Sequence, residues 1–280
     1  MDGLKRELRR FAIVWVALVL GGCASPGGRL GRSEEKSAEP LRVGITPDYA
    51  PLIYKQDGQI VGLEADLARR LGQELGRPVQ FVKVRWGNQL SDLISGNTDI
   101  VMSGMSITRA RKLRASFSEP YLRNGLMALF RSRDAARFET VDDILNTRED
   151  VGVKSGTTAA VFVQKNLPNA RVVELAGPEV VLYELRRKRI DVFIHDGHSI
   201  AWLASENEGE LEGLFSPLTE EYIAWAVRRT DAQLLADVNA VLRRWKENGV
   251  LKAAIRKWMP YADKVTYLGT APPTSETNSQ

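Results

Sequence analysis

The residues with the clearest chemical capacity lie in the run SGMSITRARKLRASFSEPY, from Ser103 to Tyr121. Gly104, Met105, Ser106 and Thr108 follow a short apolar strand, Thr98–Met102, and precede an arginine-rich helical turn. A strand that passes through small and hydroxyl residues into a helix offers backbone N–H groups and hydroxyls to an anion, and the helix dipole favours negative charge there. Arg111, one turn into the helix, can close on a carboxylate with two parallel hydrogen bonds. The expectation is a grip on the carboxylate of a small organic ligand, although phosphate or sulfate would satisfy the same pattern. Ser155-Gly156-Thr157-Thr158 forms a second strand-to-helix anion site after the strand that ends at Lys154. A third strand, Ile190–Ile194, ends in His195-Asp196-Gly197-His198. Two histidines three apart with no third ligand make a poor zinc site, so no metal is expected, and no cofactor either.

These stretches are positioned by a repeated alternation. Leu41–Thr46 reads as a strand, Pro47–Pro51 as a loop, and Ile53–Lys55 with Gln59–Val61 as a hairpin around Asp57-Gly58. Leu63, Leu67, Leu71 and Leu75 recur every four residues, with arginines and glutamates between them, giving an amphipathic helix ended by Gly76. Val79–Val84, a helix over 89–94 and the strand before Ser103 complete a strand–helix–strand–helix–strand order, the pattern of a parallel sheet covered on both faces. In such sheets the ligand crevice lies beyond the strands' carboxyl ends, where Thr46, the Trp86 loop and Ser103–Thr108 all sit. The alternation recurs after a strand at Leu126–Arg131, and the similar ends GNTDIVMSG and RKRIDVFIHDG strengthen the repeat. Helices over 232–245 and 250–258 follow, and 263–280 reads as a disordered tail.

The 280 residues suit two core-forming units. A single cysteine rules out an internal disulfide framework. Lys5, Arg6, Arg9 and Arg10 stand against Asp2 and Glu7 within residues 1–22, so the net charge of +4 falls to +2 without that segment, which gives no reason to invoke nucleic acid. Those basic residues precede ten apolar ones, Phe11–Leu20, too few to span a membrane but right for a secretion signal. Leu20-Gly21-Gly22-Cys23 resembles a bacterial lipobox, which implies cleavage before Cys23 and its lipidation. Residues 23–40 then read as the lipidated cysteine and a flexible tether.

The order LRVGIT…P, VGLEADLARRLGQELG, GNTDIVMSGMSITRARK and FSEPY resembles family 3 extracellular solute-binding proteins, the amino-acid receptors of ABC importers, over about 41–261. The resemblance implies an α/β, two-lobed type II periplasmic-binding-protein fold. Lobe 1 is expected over 41–126 and 218–262, lobe 2 over 127–217, each a mostly parallel sheet flanked by helices, with the ligand cleft between. It further implies that Arg111 takes an amino acid's carboxylate, supported by Ser106 and Thr108, and that Asp196 takes its ammonium. Tyr49 and Trp86 match aromatic positions that sandwich the ligand, while His195 and Lys154, with Gly156, Thr157 and Thr158, match positions that reach it in glutamine-binding relatives. The neutral Thr46 departs from receptors for basic amino acids, which carry an acid there; Asp48 sits on a different part of the loop. A polar uncharged ligand such as glutamine is therefore favoured, an acidic one using Lys154 being next.

The resemblance points to a monomeric, non-catalytic, extracytoplasmic membrane lipoprotein, periplasm-facing or at the cell surface according to envelope type, working with an ABC permease in the inner membrane. Two alternatives share the pattern. Periplasmic cyclohexadienyl dehydratases carry segments like FSEPYLRNG, but a dehydratase needs a cleft acid, and none beyond Asp196 is evident. The other is a ligand-sensing module; with nothing domain-sized after Tyr261, it would signal through a partner.

Overall fold

The computed structural model describes residues 39–263, 265 and 268–271. The expected signal segment, Cys23 and all of the tether but Glu39 and Pro40 lie outside the described residues. Among the described residues, no helix is long and apolar enough to cross a membrane.

Leu41–Ile45 lies inside a five-stranded sheet, parallel to Val79–Lys83 on one side and Ile100–Val101 on the other. Ala226–Val227 and Ser116–Phe117 extend that sheet in antiparallel sense. The helix Leu63–Glu74 buries Leu63, Leu67 and Leu71 against it, as the four-residue spacing predicts, and Gly76 ends the turn with φ 63°. The helices Ala232–Glu247 and Val250–Trp258 add Trp245, Leu251 and Ile255 to the same core, around Trp225.

The second five-stranded sheet runs Arg171–Leu175, Asp150–Lys154, Val192–Asp196, Leu126–Arg131, Leu211–Leu214. Its first three strands are parallel and the last two antiparallel to their neighbours. Leu126–Arg131 is buried along its whole length because the sheet continues on both sides of it. The edge strand Leu211–Leu214 has no alternating pattern in LEGL, and sequence periodicity does not reveal it.

The repeat seen in the sequence has a physical basis. The Asp99 N–H donates to the Arg42 carbonyl at 2.8 Å, and the Asp191 N–H donates to the Asp150 carbonyl at 2.7 Å, the same place in each sheet. Both carboxylates collect arginines. Asp99 takes Arg42 at 2.6 Å and Arg228 at 3.2 Å, and Asp191 takes Arg131 at 2.5 Å. Each aspartate locks the start of a strand whose far end reaches the cleft.

The chain passes from the first sheet to the second through Leu122–Asn124 and returns through Glu221–Ile223, paired antiparallel. Gly269–Thr270 joins them as a third strand, and the Ala271 N–H donates to the Tyr121 carbonyl at 3.3 Å. Within the stretch expected to be tail, Leu268 and Ala271 are each 5% exposed, so apolar burial anchors 268–271, while 272–280 lie outside the described residues.

Glu64 is a correction. The helix pattern places its charged residues between the leucines, facing solvent, yet Glu64 is fully buried. Its carboxylate accepts from the Gly104 N–H at 2.6 Å, the Tyr121 hydroxyl at 2.6 Å and the Trp225 indole at 3.2 Å. Burial outweighs these three donors and pushes its pKa up to about 7. An acid whose folded pKa is raised keeps a proton that the unfolded chain releases, so its stability contribution is complete below the unfolded value of 4.5 and is lost as pH rises to about 7. Wild type is therefore expected to lose about 3 kcal/mol relative to Glu64→Gln across that window. Denaturant midpoints of the two proteins at pH 4.5 and pH 8 check this; parallel pH profiles would refute it.

Candidate ligand-binding site

A cavity of about 290 Å³ of atom-free space, including its solvent-open part, lies where the two sheets' strand ends face each other. Thr46, Asp48, Tyr49, Trp86, Ser103 and Gly104 line it from the first lobe. Lys154, Thr157, Pro178, His195 and Asp196 line it from the second.

Asp196 ends the strand Val192–Asp196 and is 9% exposed. Its carboxylate accepts from the Tyr49 hydroxyl at 2.5 Å and the Asn124 amide at 2.6 Å. Burial raises its pKa, against the pull of those two donors and of the Arg111 and Lys154 charges. An incoming ammonium would oppose that rise, so the site favours a cation next to Asp196. Tyr49 reaches it by lying on Gly104, where a Cβ would collide with the ring and the backbone φ of 66° suits glycine.

Arg111 belongs to a single turn, Arg109–Lys112, whose N-cap is Thr108; the Thr108 hydroxyl accepts the Arg111 N–H at 3.2 Å. The guanidinium donates to the Ser106 carbonyl at 2.9 Å and stacks on Trp86, 5.3 Å from its ring centroid. Across the cleft it meets the Gly156 carbonyl at 3.4 Å, and the Trp86 indole donates to the same oxygen at 2.9 Å. Burial lowers the Arg111 pKa, while Asp196 and Glu221 oppose the shift. The cation therefore sits beside the cavity, behind Trp86, on the opposite lobe from Asp196.

His195 is buried and neutral, its pKa driven down to about 3 by burial and by Lys154. Its ring stacks on Phe193 at 5.4 Å and meets the Tyr49 edge at 5.3 Å, leaving Nδ1 without a hydrogen bond. Lys154 Nζ bonds Asp48 Oδ2 at 2.6 Å, an ion pair between the lobes. Asp48 Oδ1 is buried and has no hydrogen-bond partner. Asp48, set aside by sequence reasoning, thus lines the cavity, because Asp48–Tyr49 is a short strand paired with Ile53–Tyr54 rather than open loop.

Other expected residues play different parts. The Thr46 hydroxyl donates to the Val84 carbonyl at 2.9 Å and accepts the Gln89 amide at 2.8 Å, so it is committed to its own lobe. The Met105 side chain is 2% exposed among Leu90, Leu93 and Val101, and is core rather than cleft wall. Thr157 caps the helix Thr158–Asn166 and donates to the Lys154 carbonyl at 2.6 Å. Thr158 reaches away to Glu221 Oε2 at 3.0 Å. Met105, Ser106, Thr108, Arg111, Gly156 and Thr158 are not among the cavity-lining residues. Sequence reasoning also missed Asn124 and Glu221, both on the crossing strands. Nothing in a three-residue strand marks an asparagine as an aspartate's partner. Among the described residues no cluster of three or more His, Cys, Asp or Glu side chains is placed to hold a metal.

The two-sheet, two-lobed architecture agrees with comparison to known proteins. The model of the bacterial extracellular solute-binding proteins, family 3, matches residues 41–261. The chain belongs to this family. Among family 3 relatives, the L-cystine-binding protein TcyJ of Escherichia coli (strain K12) is 26% identical over 250 residues, covering 88% of this chain and 92% of that protein. The cyclohexadienyl dehydratase of Pseudomonas aeruginosa is 30% identical over 224 residues, covering 79% and 83%. The crystal structure of the ancestral amino acid-binding protein AncCDT-1, a precursor of cyclohexadienyl dehydratase, matches with a TM-score of 0.74 at 32% identity, over 78% of this chain and 95% of that one. The two-lobed type II periplasmic-binding-protein fold is the fold of this family 3 chain.

Tyr49→Phe removes one of two donors from a buried carboxylate, a loss expected to cost about 1–3 kcal/mol of ligand-free stability. Urea denaturation of the two proteins at neutral pH measures it; an unchanged midpoint would mean that the Tyr49–Asp196 bond carries no net stabilisation.

Proposed function

We propose that the protein is an extracytoplasmic receptor, anchored through a lipidated Cys23, that captures a polar α-amino acid by lobe closure and presents it to an ABC permease. The observation that carries this reading is the buried Asp196 carboxylate, facing the cavity from one lobe while Arg111 stands at its edge on the other. A zwitterion needs both signs at such a separation, and a phosphate or sulfate would be repelled by Asp196.

Glutamine is the favoured ligand. Its carboxamide is a neutral donor and acceptor, suited to the open Asp48 Oδ1 and to Lys154 Nζ. A purely cationic side chain would face Lys154, and a purely anionic one would face Asp48. The enzymatic alternative gains one observation: Glu221 is a second carboxyl near Arg111, half-buried, its pKa raised by burial and by Asp196. Its oxygens accept from Thr158 and Thr219 at 3.0 and 3.1 Å, which favours a structural tie between lobes. Absence of phenylpyruvate after incubation with prephenate would dismiss catalysis.

Glutamine at 100 times Kd is expected to stabilise the protein by about 2.7 kcal/mol. Asp196→Asn and Arg111→Ala should each weaken binding by about 100-fold or more, since either change leaves a ligand charge unpaired. Calorimetric titration with an amino-acid panel decides the matter: no binding by any member rejects amino-acid capture, and wild-type affinity in either variant rejects its assigned role.

A further inference from the structure

A second cavity adjoins the first, and the two share Asp48 and Pro178 as common walls. It holds about 840 Å³ of atom-free space, including its solvent-open part. Like the inner cavity, it is formed by both lobes: Tyr54 and Lys55 come from the first, and Glu179, Ser199 and Trp202 from the second. Tyr54 and Trp202 face each other with ring centroids 5.9 Å apart, an aromatic boundary suited to an aliphatic or sulfur-containing chain. Ser199 is 1% exposed and its hydroxyl has no hydrogen-bond partner. Lys55 and Glu179 are exposed, and among the described residues neither has an ion-pair partner.

We propose that this outer cavity is a subsite for the distal head of a two-headed amino acid, one whose side chain ends in a second ammonium and carboxylate. Its polar inventory matches such a head. Glu179 and the open Asp48 Oδ1 meet an ammonium, while Lys55 and the Ser199 hydroxyl meet a carboxylate. Asp48 and Pro178, which line both cavities, mark where a thioether or disulfide linker would pass from one to the other. A ligand confined to the inner cavity, such as glutamine, leaves Lys55, Glu179 and Ser199 unused. The inference rests on the proposed seating of the first head between Arg111 and Asp196.

The test is calorimetric titration of the full protein with L-cystathionine, a thioether-linked two-headed amino acid stable to reduction, and separately with L-glutamine. Wild type and the double variant Lys55→Met/Glu179→Gln are compared. Cystathionine is expected to bind wild type and to lose tenfold or more in the variant, with glutamine affinity within twofold of wild type. Glutamine binding without cystathionine binding overturns the outer subsite and leaves amino-acid capture standing. Equal cystathionine affinity in both proteins overturns it as well. Failure of both ligands rejects the inner site and the outer one with it.

Discussion

The cleft depends on keeping one carboxylate, that of Asp196, buried at a strand end. Such a group is stable inside a protein only with donors supplied to it. Its two donors come from different parts of the chain: Tyr49 follows the first strand of lobe 1, and Asn124 lies on a crossing strand. The same carboxylate therefore links lobe 1, lobe 2 and the joint. The chain of support goes deeper. Tyr49 rests on Gly104, the Gly104 N–H is held by Glu64, and Glu64 also receives Tyr121 and Trp225 from the lobe 1 core. A charge that would recognise a ligand is thus tied, through polar contacts, to the packing of an entire lobe.

Contacts across the cleft differ in kind from those within the lobes. Trp86 and Arg111 meet Gly156, Lys154 meets Asp48, and Thr158 meets Glu221, all through hydrogen bonds or ion pairs that water can replace. The lobe cores are built instead from buried aliphatic and aromatic residues that exchange no partners when a cleft opens. That division suits closure by rigid-body movement about the crossing strands, with Tyr49–His195 and Tyr54–Trp202 the ring contacts that opening would separate. It also explains why Gly156 sits in the left-handed region at φ 73°. The turn brings a bare carbonyl to the Trp86 indole through a backbone conformation that residues with a side chain rarely adopt.

Local pattern made much of the fold legible. The leucine spacing of 63–75, the Asp57-Gly58 turn and the helix over 89–94 stand in the structure as their periodicity and punctuation predict. The strand-end segments around Gly104, Gly156 and Asp196 were also readable, because small residues between an apolar run and a helix leave a distinct signature. What local pattern could not convey were partners far apart in the chain. Asp48 looked like a loop residue until its pairing with Lys154, 106 positions away, placed it in the cavity wall. Glu64 looked solvated until Tyr121 and Trp225 closed over it. Thr46 lines the cavity as expected, but its hydroxyl is taken up by Gln89 and Val84 of its own lobe.

The sequence by itself determined the α/β alternation, the two-fold repetition of strand ends, and which segments carry an arginine or an aspartate at those ends. Tertiary structure decided which of these groups share a cavity and which are consumed by their own lobe. The physical reason is that helix and strand periodicity are properties of neighbours in the chain, whereas burial and hydrogen-bond satisfaction are properties of neighbours in space. Asp196 shows both levels: its place at a strand end was legible from IDVFIHD, but its two donors lie 147 and 72 positions away.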